Sequence, residues 1–251
     1  MPGQKYVLSS WKMYTTVDEA QTLFEAIQAG LQDRAQSGGH LPTVIICPPF
    51  LSLVPLRAVA DRDVVHLGAQ TSHWEDEGSY TGEISPRMLQ GLVDYVLVGH
   101  SERRMAGETD EQIAHKVAAV TRYGMVPILL VGEDDKSGDG IRRTEDRLRK
   151  GLSEIDVPSE EFLVVYEPVW AIGADERASA EHIRRSVEHL KAVLGELGAP
   201  EPRVLYGGTV NEENVDELAQ LDVLDGVGAG RASLDADRFL AIIDRVAATS
   251  P

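Results

Sequence analysis

Three side chains standing at or just beyond short apolar runs could together move a proton between adjacent carbons. Glu167 follows the run Phe162–Tyr166, His100 follows Tyr95–Val98, and Lys12 follows Tyr6–Leu8. A carboxylate can take a proton from carbon, a neutral imidazole can act as an acid, and an ammonium can hold charge developing on oxygen. Two further runs lead into Gly207-Gly208 and Gly226–Gly230. Backbone N–H groups of such segments can converge on a phosphate. One base, one neutral acid, one cation and a phosphate cradle make a set sufficient to isomerise a small phosphorylated compound.

These residues need elements that bring them to one place. Eight apolar runs recur along the chain: Tyr6–Leu8, Thr43–Cys47, Val64–Leu67, Tyr95–Val98, Val126–Val131, Phe162–Tyr166, Val204–Tyr206 and Gly226–Ala229. Several are apolar on both faces, as strands of a parallel sheet covered by helices must be. Helical stripes lie between them. Ala20, Leu23, Phe24, Ile27 and Leu31 form one, Ile183, Val187, Leu190, Leu194 and Leu197 another, and Ala236, Phe239, Leu240, Ile243 and Val246 the last. Thr109 and Gln112 have capping-box spacing ahead of the stripe Ile113, Val117, Val120. Gly138–Gly140 is expected in a charged surface loop running from Asp134 to Arg143. Eight strand–helix units without a composition break predict one α/β domain over residues 1–251, a closed (β/α)8 barrel. An open doubly wound sheet is the structural alternative, and the strand count favours the barrel. In a barrel the residues after every strand face the same end, which is where Lys12, His100, Glu167 and the glycine segments fall.

Composition narrows the partners. The 251 residues carry 24 Lys+Arg against 41 Asp+Glu, a formal charge of −17, and both nucleic acid and anionic membranes repel such a protein. The lone Cys47 cannot form an internal disulfide, and no signal-like or membrane-length apolar run is present. A cytoplasmic location is expected. Gly226-Val227-Gly228-Ala229-Gly230 fails the spacing of a dinucleotide loop. His66 with His73, and His182 with His189, lack a matched ligand set. No cofactor and no metal are expected. Cys47 reads as a small buried hydrophobe on the second strand.

Longer segments around the same residues resemble a known family. Ser9-Ser10-Trp11-Lys12-Met13, Val98-Gly99-His100-Ser101-Glu102-Arg103-Arg104, Tyr166-Glu167-Pro168-Val169-Trp170-Ala171-Ile172-Gly173 and Tyr206-Gly207-Gly208-Thr209-Val210 are similar to the signature segments of triosephosphate isomerases, in family order over essentially the whole chain. The resemblance implies a single (β/α)8 TIM barrel with Glu167 as base beside a closing lid and Lys12 as a substrate-facing cation. It implies His100 as a neutral imidazole at a helix N-terminus, a pattern for which triosephosphate isomerase is itself the standard example. Ser10, Glu102, Gly173, Thr209, Gly230 and Arg231 are the implied substrate-binding residues. Thr81-Gly82-Glu83-Ile84-Ser85-Pro86 resembles the family's dimer-contact loop, which implies a homodimer through the loop from Thr71 to Gly82. Plain alternatives exist for each residue: a solvated carboxylate, a core histidine, a surface lysine, and glycines that only make tight turns.

The chain departs from the family at Ser10, where an Asn is usual, and at Arg231, where a second Gly is usual. The loop after His100 is one residue shorter, and the far hinge of the lid, Ala174 to Ala178, is more charged. Ser10 is smaller than Asn and leaves room beyond the carbon that loses its proton. Both departures resemble the branch that converts L-erythrulose 1-phosphate to D-erythrulose 4-phosphate, which becomes the leading expectation. Interconversion of dihydroxyacetone phosphate and glyceraldehyde 3-phosphate is the alternative. A phosphosugar-binding paralogue without turnover is a third reading.

Overall fold

The structure is a computed structural model that describes residues 4–136, 139–171 and 177–249. Its strands are β1 (Tyr6–Ser10), β2 (Thr43–Cys47), β3 (His66–Ala69), β4 (Tyr95–Val98), β5 (Val126–Glu133), β6 (Leu163–Pro168), β7 (Val204–Tyr206) and β8 (Gly226–Ala229). Each pairs in parallel with the next, and β8 pairs with β1, so the sheet closes. The helices among the described residues are α1 (Val17–Gln36), α2 (Phe50–Val59), α3 (Pro86–Leu89), α4 (Ser101–Met105), α5 (Asp110–Arg122), α6 (Gly140–Gly151), α7 (Ala180–Glu196), α8 (Val215–Ala219) and α9 (Ala236–Ala247). The expected (β/α)8 TIM barrel is the fold observed.

Strand alternation builds two cores. Leu8, Ile45, Leu97, Leu130, Val165 and Leu205 fill the barrel interior. Their neighbours Val7, Val44, Val96, Leu129, Val164 and Val204 point outward and pack beneath the helices. On α7, Ile183, Val187, Leu190 and Leu194 are buried, each contributing on the order of 1.5–3 kcal/mol by leaving water. Leu23 and Leu197 of the expected stripes are only partly buried, at the edges of their faces. The Thr109–Gln112 capping box forms: Thr109 Oγ1 accepts from Gln112 N–H, and Gln112 Oε1 accepts from Thr109 N–H. Among the described residues no helix is long and apolar enough to cross a membrane.

Several expected boundaries move. β3 begins at His66 rather than Val64, because the N–H groups of Val64 and Val65 turn back to the carbonyl of Asp61. It runs on through Gly68, where a Cβ would sit 2.4 Å from Cys47 Sγ. β1 extends through the polar Ser9 and Ser10, paired with Ile46 and Cys47. Glu167 lies inside β6 rather than after it, since the ladder continues through the Gly132–Glu167 and Glu133–Pro168 pairs. Gly140 to Arg143 is the first turn of α6, not loop. Gly138 lies outside the described residues.

Candidate active site

A cleft of about 550 Å³ opens at the C-terminal end of the strands. Ser10, Lys12, His100, Glu102, Glu167, Thr209, Gly230 and Arg231 all line it, brought together from both ends of the chain by the β8–β1 closure. Gly173 and the hinge residues Ala174, Asp175 and Glu176 lie outside the described residues.

Glu167 is 4% exposed. Its Oε2 accepts the backbone N–H of Ser101 at 3.0 Å, at the start of α4. Its Oε1 lies 3.7 Å from His100 Nε2. Glycine makes room for it, because a Cβ on Gly207 would come within 3.2 Å of Glu167 Cγ and 2.3 Å of Val165 Cγ1. Behind the carboxylate, on the side of Gly99, Arg104 and Gly132, is a second cavity of about 240 Å³, so Glu167 partitions two spaces.

His100 caps α4. Its Nδ1 accepts the N–H of Glu102 at 3.1 Å, so this nitrogen carries no proton and the ring's N–H is at Nε2. That donor stands beside Glu167. Sequence alone places His100 before a helix; only the cap geometry assigns the tautomer.

Lys12 has φ of 52°, and among the described residues it is the one non-glycine in the left-handed region. Such a conformation costs about 1–2 kcal/mol and needs neighbours that enforce it. Gln70 does so, donating from Nε2 to the carbonyls of Lys12 at 2.8 Å and of Cys47 at 3.1 Å. Trp11, fully buried, donates its backbone N–H to the same Cys47 carbonyl. The ammonium then reaches Glu102 Oε1 at 2.6 Å. Burial pushes the Glu102 carboxyl upward, but the hydrogen bond and charge of Lys12 hold it below the ordinary range. Glu102 therefore orients the cation as well as lining the cleft. Cys47 is buried as expected, and that burial pushes its thiol strongly upward.

The glycine-rich end is built from β7 and β8. A Cβ on Gly208 would fall 2.2 Å from the Tyr206 hydroxyl, so this position must be glycine for the loop to fold over that ring. Buried Asn214 donates to the Thr209 carbonyl at 2.7 Å. Ser233 donates to the Gly230 carbonyl at 2.7 Å, closing the 3₁₀ turn Arg231–Leu234. Arg231 is exposed at the cleft wall, and Arg238 joins it from α9. Arg238 chelates Glu212 through Nε and Nη2, which holds that half-buried carboxyl down at about 2. Gly208 lines the cleft as its segment implied, whereas Arg238, Asn211 and Tyr14 line it without having been foreseen. Arg238 had no usable signal, since it reads as one more charge on an amphipathic helix. Asn211 does lie two residues beyond the Gly207–Thr209 segment.

A closed parallel barrel with a buried carboxylate, an imidazole N–H, a cation and glycine-rich loops at one rim defines a (β/α)8 isomerase. The sequence model of the triosephosphate isomerase family matches residues 5–246. A triosephosphate isomerase of Dehalococcoides mccartyi is 38% identical over 252 aligned positions, covering 97% of this chain and 98% of the relative. One from a Synechococcus is 37% identical, covering 95% of each chain, and one from Moorella thermoacetica is 36% identical, covering 95% and 97%. The chain belongs to the triosephosphate isomerase family. It is an isomerase, an intramolecular oxidoreductase. These relatives favour the triose alternative over the leading tetrulose expectation, for which the comparisons offer no support.

Proposed function

We propose that the protein interconverts dihydroxyacetone phosphate and glyceraldehyde 3-phosphate through an enediolate. The observation that carries this reading is the pairing of Glu167 with the Nε2–H of His100 across 3.7 Å at the cleft floor. In this reading Glu167 takes the proton from carbon and returns it to the adjacent one. His100 donates to the substrate oxygens, and Lys12 stabilises the charge that develops on them. Ser10 lies on the same wall. Thr209, Gly230 and Arg231 hold the phosphate, with Gly173 as a further donor. The low position of the Glu102 carboxyl keeps it ionised and Lys12 in place.

The relatives' printed function supports the triose substrate. Ser10 in the cleft wall supports a second reading, in which L-erythrulose 1-phosphate becomes D-erythrulose 4-phosphate by the same step. Side-by-side kcat/KM values for triose and tetrulose phosphates decide between them. We expect the triose phosphate to turn over at least tenfold faster, a gap of about 1.4 kcal/mol in barrier. A reversed ratio that Ser10→Asn restores would establish the tetrulose reading instead.

The protein is also proposed to act as a homodimer, in the cytoplasm. Met13, Tyr14, Leu51, Val54, Met88 and Met105 are exposed, with Met13 at 96% and Leu51 at 82%. They follow β1, β2, β3 and β4 in turn, so they share one side of the barrel with the Thr71–Gly82 loop. Apolar surface concentrated in that way fits a covered face. Sedimentation equilibrium is expected to give twice the chain mass, and a monomer at micromolar concentration would count against it.

A further inference from the structure

We propose that a third cavity, sharing no lining residue with the cleft, binds a small phosphate-class dianion. It has a volume of about 610 Å³ and lies between the ends of β5 and β6 and the first turns of α7. Lys136, Arg177 and Arg185 contribute positive charges to its wall, Lys136 engaged by a partner as well, and His182 and His189 add imidazoles, the latter bound to Glu145 at 2.8 Å. Among the described residues of the lining, Glu133 is the one carboxylate. That group is 3% exposed and already engaged, accepting from the Tyr166 hydroxyl at 2.6 Å and Ser186 Oγ at 3.2 Å, with His182 Nε2 at 3.1 Å.

The sign of this cavity runs against the molecule. The chain as a whole carries −17, yet among the described lining residues cations outnumber the carboxylate, and a concave low-dielectric wall focuses their field. Arg177 meets Glu213 at 3.4 Å, with both side chains largely in water, so it remains available to a stronger partner. Arg185 has no carboxylate partner among the described residues; its one polar neighbour is His182 Nδ1, at a long 3.4 Å. A guanidinium offers a planar fork of donors, which suits the paired oxygens of a phosphate better than a monatomic ion such as chloride. Ser179, the N-cap of the 17-residue α7, lies in the same wall and places the positive end of that helix there. Trp170 lines the same wall and so reports on it. Its indole N–H is buried without a partner, while the Lys136 ammonium stands over its ring at 4.6 Å.

Binding can be read without measuring turnover, so this site stands or falls apart from the proposed reaction. Full-length protein labelled with ¹⁵N-tryptophan is titrated with inorganic phosphate at constant ionic strength, made up with sodium chloride. The Trp170 indole signal is assigned through Trp170→Phe. A saturable shift of that signal is expected, retained in Lys12→Met, whose defect lies in the cleft. In Arg185→Gln and, as a second variant, Arg177→Gln, the apparent Kd is expected to rise about tenfold. A shift lost in Lys12→Met but unchanged in both arginine variants would assign the anion to the cleft and overturn the proposal. So would the absence of any saturable shift beyond that produced by chloride.

Discussion

Glu167→Gln is expected to lower kcat by about three orders of magnitude, within the range for loss of a general base, or roughly 4 kcal/mol in the barrier. The substitution keeps the side chain's shape and removes its basicity. Its resting contact should survive, because an amide oxygen can accept the Ser101 N–H that Glu167 Oε2 accepts at 3.0 Å. The room left by Gly207 is unchanged as well. The loss should therefore fall on kcat with KM little altered, the pattern of an interaction made only in the transition state. Solvent-deuterium exchange into bound substrate is the most direct check. Exchange that vanishes in the variant supports a base at this position, whereas exchange near the wild-type rate would remove Glu167 from that role. Tight binding without exchange in the wild type would leave only a phosphosugar binder.

Gly132→Ala is expected to destabilise the fold by roughly 3 kcal/mol, the upper part of the range for overpacking. For a chain of this size that is a fall in Tm of about 6–12 °C. A Cβ at this position would lie 1.7 Å from the Glu167 carbonyl oxygen and 2.6 Å from its carbon. The clash is with backbone on the paired strand, so no rotamer change relieves it. β5 and β6 must separate where Gly132 pairs with Glu167, which also displaces the base. Gly195→Ala is the control. Gly195 sits in α7 with nothing within 4 Å of a new Cβ, and alanine there should raise stability by about 0.4–1 kcal/mol. Parallel calorimetric scans of the two variants provide the measurement. Equal Tm shifts, or an unchanged Tm in Gly132→Ala, would contradict the account of why this residue is glycine.

The two substitutions concern one residue seen from different distances. The segment Tyr166 to Gly173 marks Glu167 as a base in the linear sequence. Nothing local marks Gly132 as the residue that lets the base sit there, because the clash it avoids is with a strand 35 positions away. Gln70 is similar. Its neighbours in sequence are unremarkable in pattern, yet it holds Lys12 in the left-handed region from 58 residues away.

Short-range information was sufficient for the elements. β2, β4, β7 and β8 begin and end where their apolar runs do, and the Thr109 capping box forms as its spacing requires. These features depend on side-chain period and on contacts three or four residues apart, which neighbours in the chain settle by themselves. The sequence by itself thus determined the number and order of the strands, the helical stripes between them and the residues placed at the strand ends. The tertiary structure alone decided the inclusion of Glu167 within β6, the protonated nitrogen of His100, the strained turn at Lys12 and the arrival of Arg238 at the cleft. Each depends on hydrogen bonds or close contacts between distant segments, and these acquire a register only once the barrel closes.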